Sequence, residues 1–208
     1  FISEQQDVTL AWPYKDCVLE GGQTKEDQKR DEIFYNETLA PDQVNRLLAP
    51  KVFGNAKRYT ADGVEEDVEF TSEDNLIIKG NNLLGLSSLL SKFEGQVQLI
   101  YIDPPFNTGS DSFQYNDRFN HSTWLTFMKN RLVLAKRLLK PNGSIFVHLD
   151  FNESHYAKAL MDEIFGKENF KNHIIWCYTG PSGSSRFLPR KHDDILFYGN
   201  GSDTLFNQ

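Results

Sequence analysis

The stretch Val97-Gln98-Leu99-Ile100-Tyr101-Ile102-Asp103-Pro104-Pro105-Phe106 decides the fold, because an apolar strand ends there on residues that cannot continue it. β-Branched, aliphatic and aromatic residues dominate 97–102, which predicts a buried strand. Pro104 and Pro105 then fix φ near −65°, supply no amide hydrogens and bias the residues before them towards extended geometry. A stiff loop must leave the strand, carrying the Asp103 carboxylate, the Pro104 carbonyl and the Phe106 ring, and continuing through Asn107, Thr108 and Gly109.

Outward from this loop the chain alternates strand and helix. Leu76-Ile77-Ile78 reads as a short strand, and Asn82 to Phe93 as a helix with Leu83, Leu86, Leu89 and Leu90 at helical spacing. Ser122 is expected to cap a long helix to about Lys140, with Leu125, Met128, Leu132, Ala135, Leu138 and Leu139 on its apolar face and Pro141-Asn142-Gly143 after it. Ser144–Leu149 is the next strand. Asp150 and Glu153 stand at capping-box spacing before a helix that Gly166 ends. Strands over Ile174–Tyr178 and Ile195–Tyr198 flank a Gly/Ser/Pro loop from Thr179 to Pro189. Such alternation predicts an α/β fold: a parallel sheet with helices on both faces, whose ligands gather beyond the carboxyl ends of the strands. The Asp103 loop, Gly80-Asn81 and Asp150 all fall at such ends.

Residues 1–70 read as a charged N-terminal arm, with one short helix at Pro41–Ala49 and a loop from Gly54 to Glu69. Residues 71–178 form the expected catalytic half, and 179–208 the start of a further region. A hydrophobic content of 39% with 25% charged residues excludes a wholly disordered chain. No apolar run approaches the roughly 20 residues of a membrane span, and the start lacks a signal-peptide pattern. Cys17 and Cys177 lack metal-ligand spacing, which suits a reducing cytoplasm. The net charge of −7 argues weakly against nucleic acid, but the acidic excess lies wholly in residues 1–100. The five histidines show no ligand spacing, so no metal site is expected. Trp12, Trp124 and Trp176 are expected to serve packing.

The chemistry of the loop points one way. A carboxylate and a carbonyl are two acceptors without a donor, matched to the two hydrogens of an exocyclic amine. An aromatic ring beside them can stack on a flat heterocycle for about 1–3 kcal/mol. An aryl amine is a poor nucleophile because its lone pair is delocalised. Accepting both hydrogens draws the nitrogen towards tetrahedral geometry and stabilises charge that develops only in the transition state.

Asp103-Pro104-Pro105-Phe106 after a buried strand resembles the catalytic motif of S-adenosylmethionine-dependent amino-methyltransferases. The acidic first residue resembles the adenine enzymes, whereas cytosine-amino enzymes usually carry Ser there and glutamine-modifying relatives Asn. Ile78-Lys79-Gly80-Asn81-Asn82-Leu83-Leu84 is similar to the turn that touches the cofactor's adenine, with Asn81 where the family more often has Asp. Asn142–Asp150, Phe165–Phe170, and Arg186 with His192–Tyr198 resemble further blocks. The arm, through Tyr14–Glu20 and Asn45–Ala49, resembles modification subunits of type III restriction-modification systems.

The resemblance implies a Rossmann-like methyltransferase sheet and DNA adenine methylation, with catalysis by Asp103, Pro104, Pro105 and Phe106. Cofactor contacts are implied at Gly80, Asn81, Asn82, Asp103, Asn107 and Thr108. Contacts to DNA or the flipped base are expected from Phe106, Phe113, Tyr115, Arg186, Arg190 and Lys191. Double-stranded DNA, a second modification subunit and a nuclease/helicase restriction subunit are the implied partners. In this motif order a Phe-x-Gly-x-Gly turn should follow target recognition, and none occurs here, Gly180-Pro181-Ser182-Gly183 reading as a loop. Two central strands are therefore expected beyond Gln208, and this piece is expected to be inactive alone. Cytosine, RNA or protein glutamine as substrate, and a non-catalytic DNA-contacting role, are the competing readings.

Overall fold

The structure, a computed structural model, describes residues 9–21, 33–108, 120–180 and 189–206. Its centre is a four-stranded sheet in the order β5-β6-β8-β7, made of β5 (Val97–Ile102), β6 (Leu139–Leu149), β7 (Phe170–Cys177) and β8 (His192–Gly199). β5 and β6 are parallel, joined by helix α3 (His121–Leu138), and β8 runs antiparallel to both β6 and β7. The expectation of an all-parallel sheet is corrected here. A parallel return needs a crossover of a dozen or more residues, usually helical, whereas the segment between β7 and β8 carries no helical pattern, so β8 turns back against β7. Helix α4 (Ser154–Phe165) then carries the chain from β6 past β8 to the edge strand β7.

One face of the sheet holds the core. Ile145, Val147 and Leu149 of β6 with Leu196 and Tyr198 of β8 meet Trp124, Leu125, Met128 and Leu132 of α3 and Leu160 and Met161 of α4. Each such fully buried aliphatic side chain contributes about 1.5–3 kcal/mol. The predicted apolar stripe of α3 is in place, but the helix is buried nearly all round, including Asn130 and Arg131. The arm explains this. β1 (Cys17–Leu19), paired with β2 (Phe34–Asn36), lies on α3, where Asn130 Nδ2 donates to Cys17 O at 3.0 Å and Leu19 N donates to Asn130 Oδ1 at 2.8 Å. Leu19 is thereby part of the main core.

Helix α2 (Asn82–Phe93) packs on α3 and on α1 (Pro41–Leu48), around Val18, Leu83 and Leu134. Helices therefore cover one face of the described sheet, not both. On the other face Leu99 and Tyr101 of β5 stand open, and Phe146 and Phe197 stack with centroids 4.4 Å apart.

Three local expectations also change. Leu76-Ile77-Ile78 forms no strand, and Ile77 is 99% exposed. The 54–69 loop contains a hairpin, β3 (Lys57–Thr60) with β4 (Gly63–Glu66), held by the cross-strand pairs Lys57–Glu66 and Arg58–Glu65. Asn120, not Ser122, caps α3, accepting from Thr123 N at 2.8 Å. Gly166 does end α4, at φ +92°, a backbone angle that favours glycine.

Candidate active site

The sheet register gathers the candidate residues at one edge. Ile102, the last residue of β5, pairs with Val147, and Leu149 of β6 pairs with Asp194 near the start of β8. Asp103, His148 and Asp193 therefore emerge side by side at the carboxyl ends of β5 and β6.

The catalytic loop is held from behind. Trp124 Nε1 donates to Pro105 O at 2.8 Å, from a side chain wholly buried in α3. Its role exceeds packing: it anchors the loop through the Pro105 carbonyl. Phe106 packs against the core and meets His148 edge-on at 5.4 Å. Asn107 follows at φ +61°, a left-handed conformation that Asn tolerates better than most residues. Its Nδ2 donates to Glu153 Oε1 at 2.6 Å.

Glu153 corrects the capping-box expectation. Its side chain makes no cap bond to the start of α4, and the Asp150 oxygens instead accept from Asn152 N and Nδ2. The fully buried Glu153 carboxylate joins Asn107 to His121 Nδ1, 2.8 Å from the same Oε1. Burial pushes this carboxyl above the ordinary glutamate range, opposed by the Asn107 bond and by His121. Trp124, Asn107 and Glu153 thus preset the loop before any substrate arrives.

Asp103 itself is left open. Its side chain is 62% exposed, and its recorded ionic contact is His148 Nδ1, 3.8 Å from Oδ1. On the far side of that imidazole, Nε2 lies 3.2 Å from Asp193 Oδ2. Sequence reasoning missed His148, Trp124, Glu153 and Asp193, because all four join the loop through tertiary contacts from other elements. The alternation along β6 was the available signal: His148 interrupts an apolar strand one residue before its end.

Other candidates lie elsewhere. Gly80, Asn81 and Asn82 open α2, where Asn81 Oδ1 caps Leu83 N at 3.0 Å and Asn81 Nδ2 donates to the carbonyls of Glu20 and Gly21. Asn82 Oδ1 accepts from Arg131 Nε at 2.6 Å. Burial lowers the Arg131 guanidinium to about 9. Both asparagine side chains are therefore engaged by the fold. Thr108 continues the Asp103 loop. Arg190 sits 3.6 Å above the Phe151 ring, just past β6, and Lys191 Nζ donates to Gly180 O at 3.2 Å, so both basic residues flank the same edge. Phe113, Tyr115 and Arg186, with Gly109 and the Pro181-Ser182-Gly183 loop, lie outside the described residues. No group of three or more His, Cys, Asp or Glu among the described residues could hold a metal ion.

The family model for N6 and N4 methyltransferases, described as DNA methylase, matches residues 97–208, and the chain belongs to that family. Among curated relatives it is 42% identical, over 275 aligned positions, to a probable type III restriction-modification enzyme HindVI Mod subunit from Haemophilus influenzae, covering 99% of this chain and 37% of the relative. It is 31% identical to the type III EcoP15I Mod subunit of Escherichia coli, over 67% of this chain and 26% of that one. It is 38% identical to the EcoPI Mod subunit of Escherichia phage P1, over 65% and 26%. The chain thus spans between a quarter and two fifths of the length of these relatives.

Proposed function

We propose that the chain forms the catalytic part of a DNA methyltransferase that moves a methyl group from S-adenosylmethionine to the exocyclic amine of adenine, in a type III-like restriction-modification system. The observation that carries this reading is the exposed Asp103 carboxylate at the open sheet edge, on a loop that Trp124 anchors at Pro105.

Asp103 Oδ and the Pro104 carbonyl accept the two amine hydrogens, and Phe106 stacks on the base. The amine is unreachable in a paired duplex, so the adenine is flipped out. Arg190 and Lys191, beside the same edge, are suited to phosphate contact, which positions the duplex without reading sequence.

The residues present fit the methyl donor, since Asp103 is turned to the open edge instead of being tied into the fold. Asp103, Asn107 and Thr108 would hold it, with the Gly80-Asn81-Asn82 turn contributing backbone, because both asparagine side chains are engaged. When bound, S-adenosylmethionine supplies an electrophilic methyl on a sulfonium. The protein's own part is to preset the acceptors, strip water from the amine and leave the proton a path away.

The DNA methylase family supports double-stranded DNA as a partner, and the relatives' names, as Mod subunits of restriction-modification enzymes, support a restriction subunit; a second modification subunit belongs to the proposal alone. No described helix is long and apolar enough to cross a membrane; the cytoplasm follows in this reading from the DNA substrate it proposes. The test is transfer of labelled methyl from S-adenosylmethionine to duplex DNA by the full-length protein, followed by nucleoside analysis. N6-methyladenine is expected. Label on N4-methylcytosine, on RNA or on a glutamine amide would replace the substrate, and no transfer would refute the reading.

A further inference from the structure

We infer that His148, held by Asp193, is the positioning residue through which Asp103 disposes of the proton released by methyl transfer, an inference that rests on the function proposed above.

Three observations meet at this imidazole. His148 Nε2 lies 3.2 Å from Asp193 Oδ2, its Nδ1 lies 3.8 Å from Asp103 Oδ1, and its ring meets Phe106 edge-on. A carboxylate can only accept, so the Nε2 proton belongs to the Asp193 contact. In the neutral ring Nδ1 is then a bare lone pair facing a second acceptor, Asp103. That contact offers no bond until a proton arrives, and then it offers a good one.

Methyl transfer supplies that proton. As the carbon–nitrogen bond forms and the donor's carbon–sulfur bond breaks, leaving a neutral thioether, the amine nitrogen becomes positively charged. One of its N–H bonds must then break. The proton passes to Asp103 and on to His148 Nδ1, while Nε2–H stays on Asp193, so charge balances within the row Asp103–His148–Asp193. The approach from 3.8 Å to bonding distance accompanies proton arrival, as apo contacts of this kind tighten in the reacting complex.

Among the described residues, few groups face His148. β5 and its loop contribute Tyr101, centroid 6.4 Å away, and Asp103. β8 contributes Asp193, whose Oδ1 accepts from Tyr178 beyond β7 at 3.4 Å. Asp150 stands two residues on along the chain, its oxygens engaged by Asn152. Of the basic residues just before β8, Arg190 lies on Phe151 and Lys191 Nζ donates to Gly180 O.

The test has two arms on the full-length protein. Single-turnover methyl transfer is measured across pH for wild type, H148Q and D193N. H148Q should slow the step by about tenfold or more, with KM for DNA within about twofold, and should flatten the acidic limb of the profile. D193N should move both the same way by less. Independently, with neither donor nor DNA, the titration of the His148 imidazole is followed by NMR in wild type and in D103N. Loss of the facing carboxylate should move the midpoint to lower pH by roughly half a unit or more. An H148Q enzyme with wild-type rate and pH profile, or a midpoint unmoved in D103N, overturns the inference. If the wild-type protein methylates no DNA, the proposed function fails first, and the NMR arm still decides the pair.

Discussion

Replacing Asn107 by Ala tests how the catalytic loop is preset. Two terms can be worked from the structure. The Asn107 Nδ2–Glu153 Oε1 bond, 2.6 Å long, is charge-assisted and ends on a fully buried carboxylate, so its loss costs about 1.5–3 kcal/mol. Asn107 also sits at φ +61°, where alanine adds roughly 1–2 kcal/mol of steric cost. The variant should therefore be destabilised by about 2.5–5 kcal/mol. Urea unfolding of the full-length protein at unchanged slope measures this. A double-mutant cycle with Glu153→Ala separates the terms, because the backbone cost is absent from the coupling energy. Coupling of about 1.5 kcal/mol or more is expected. Coupling below about 0.5 kcal/mol, the level at which independent sites add, would refute the claim that Glu153 fixes the loop. The methyl-transfer rate should fall by about a hundredfold, as a displacement of 1 Å at reacting groups commonly does.

Other outcomes follow from the same contacts. Trp124→Phe keeps the packing but orphans the Pro105 carbonyl, and should cost about 1–3 kcal/mol in the same unfolding assay together with a loss of kcat. Asp103→Ala should abolish transfer yet change stability by less than about 0.5 kcal/mol, because the side chain is mostly exposed. Burial raises the Glu153 carboxyl above its ordinary value of 4.5, so between that value and its folded one the native state holds more protons than the unfolded state. Stability should fall as pH rises through that window, and Glu153→Gln should remove this part of the slope, as denaturation midpoints across pH would show.

The loop and its strand were legible because both signals are local: the apolar run Val97–Ile102 and two prolines that stop it. Helices α2, α3 and α4 were legible for the same reason, each carrying a periodic apolar face. The antiparallel course of β8 was not, although its cause lies in the sequence, in a β7–β8 connection without a helical pattern. The β3–β4 hairpin passed for a loop because its strands are short and carry a single apolar pair, Tyr59 opposite Val64, too little alternation to mark a strand. Glu153 was misread because spacing cannot tell a capping carboxylate from one turned inward to Asn107. Trp124, His148 and Asp193 reach the loop across 19, 45 and 90 residues of chain, respectively, and only the sheet register and the helix crossover bring them there.

The central claim, that the Asp103 edge methylates adenine in DNA, is tested most directly by single-molecule sequencing of DNA from cells expressing the full-length protein, set against cells expressing its Asp103→Ala variant. N6-methyladenine at one short motif, present with the first and absent with the second, is the predicted result. Unmethylated DNA in both, or methylation that survives Asp103→Ala, would contradict it.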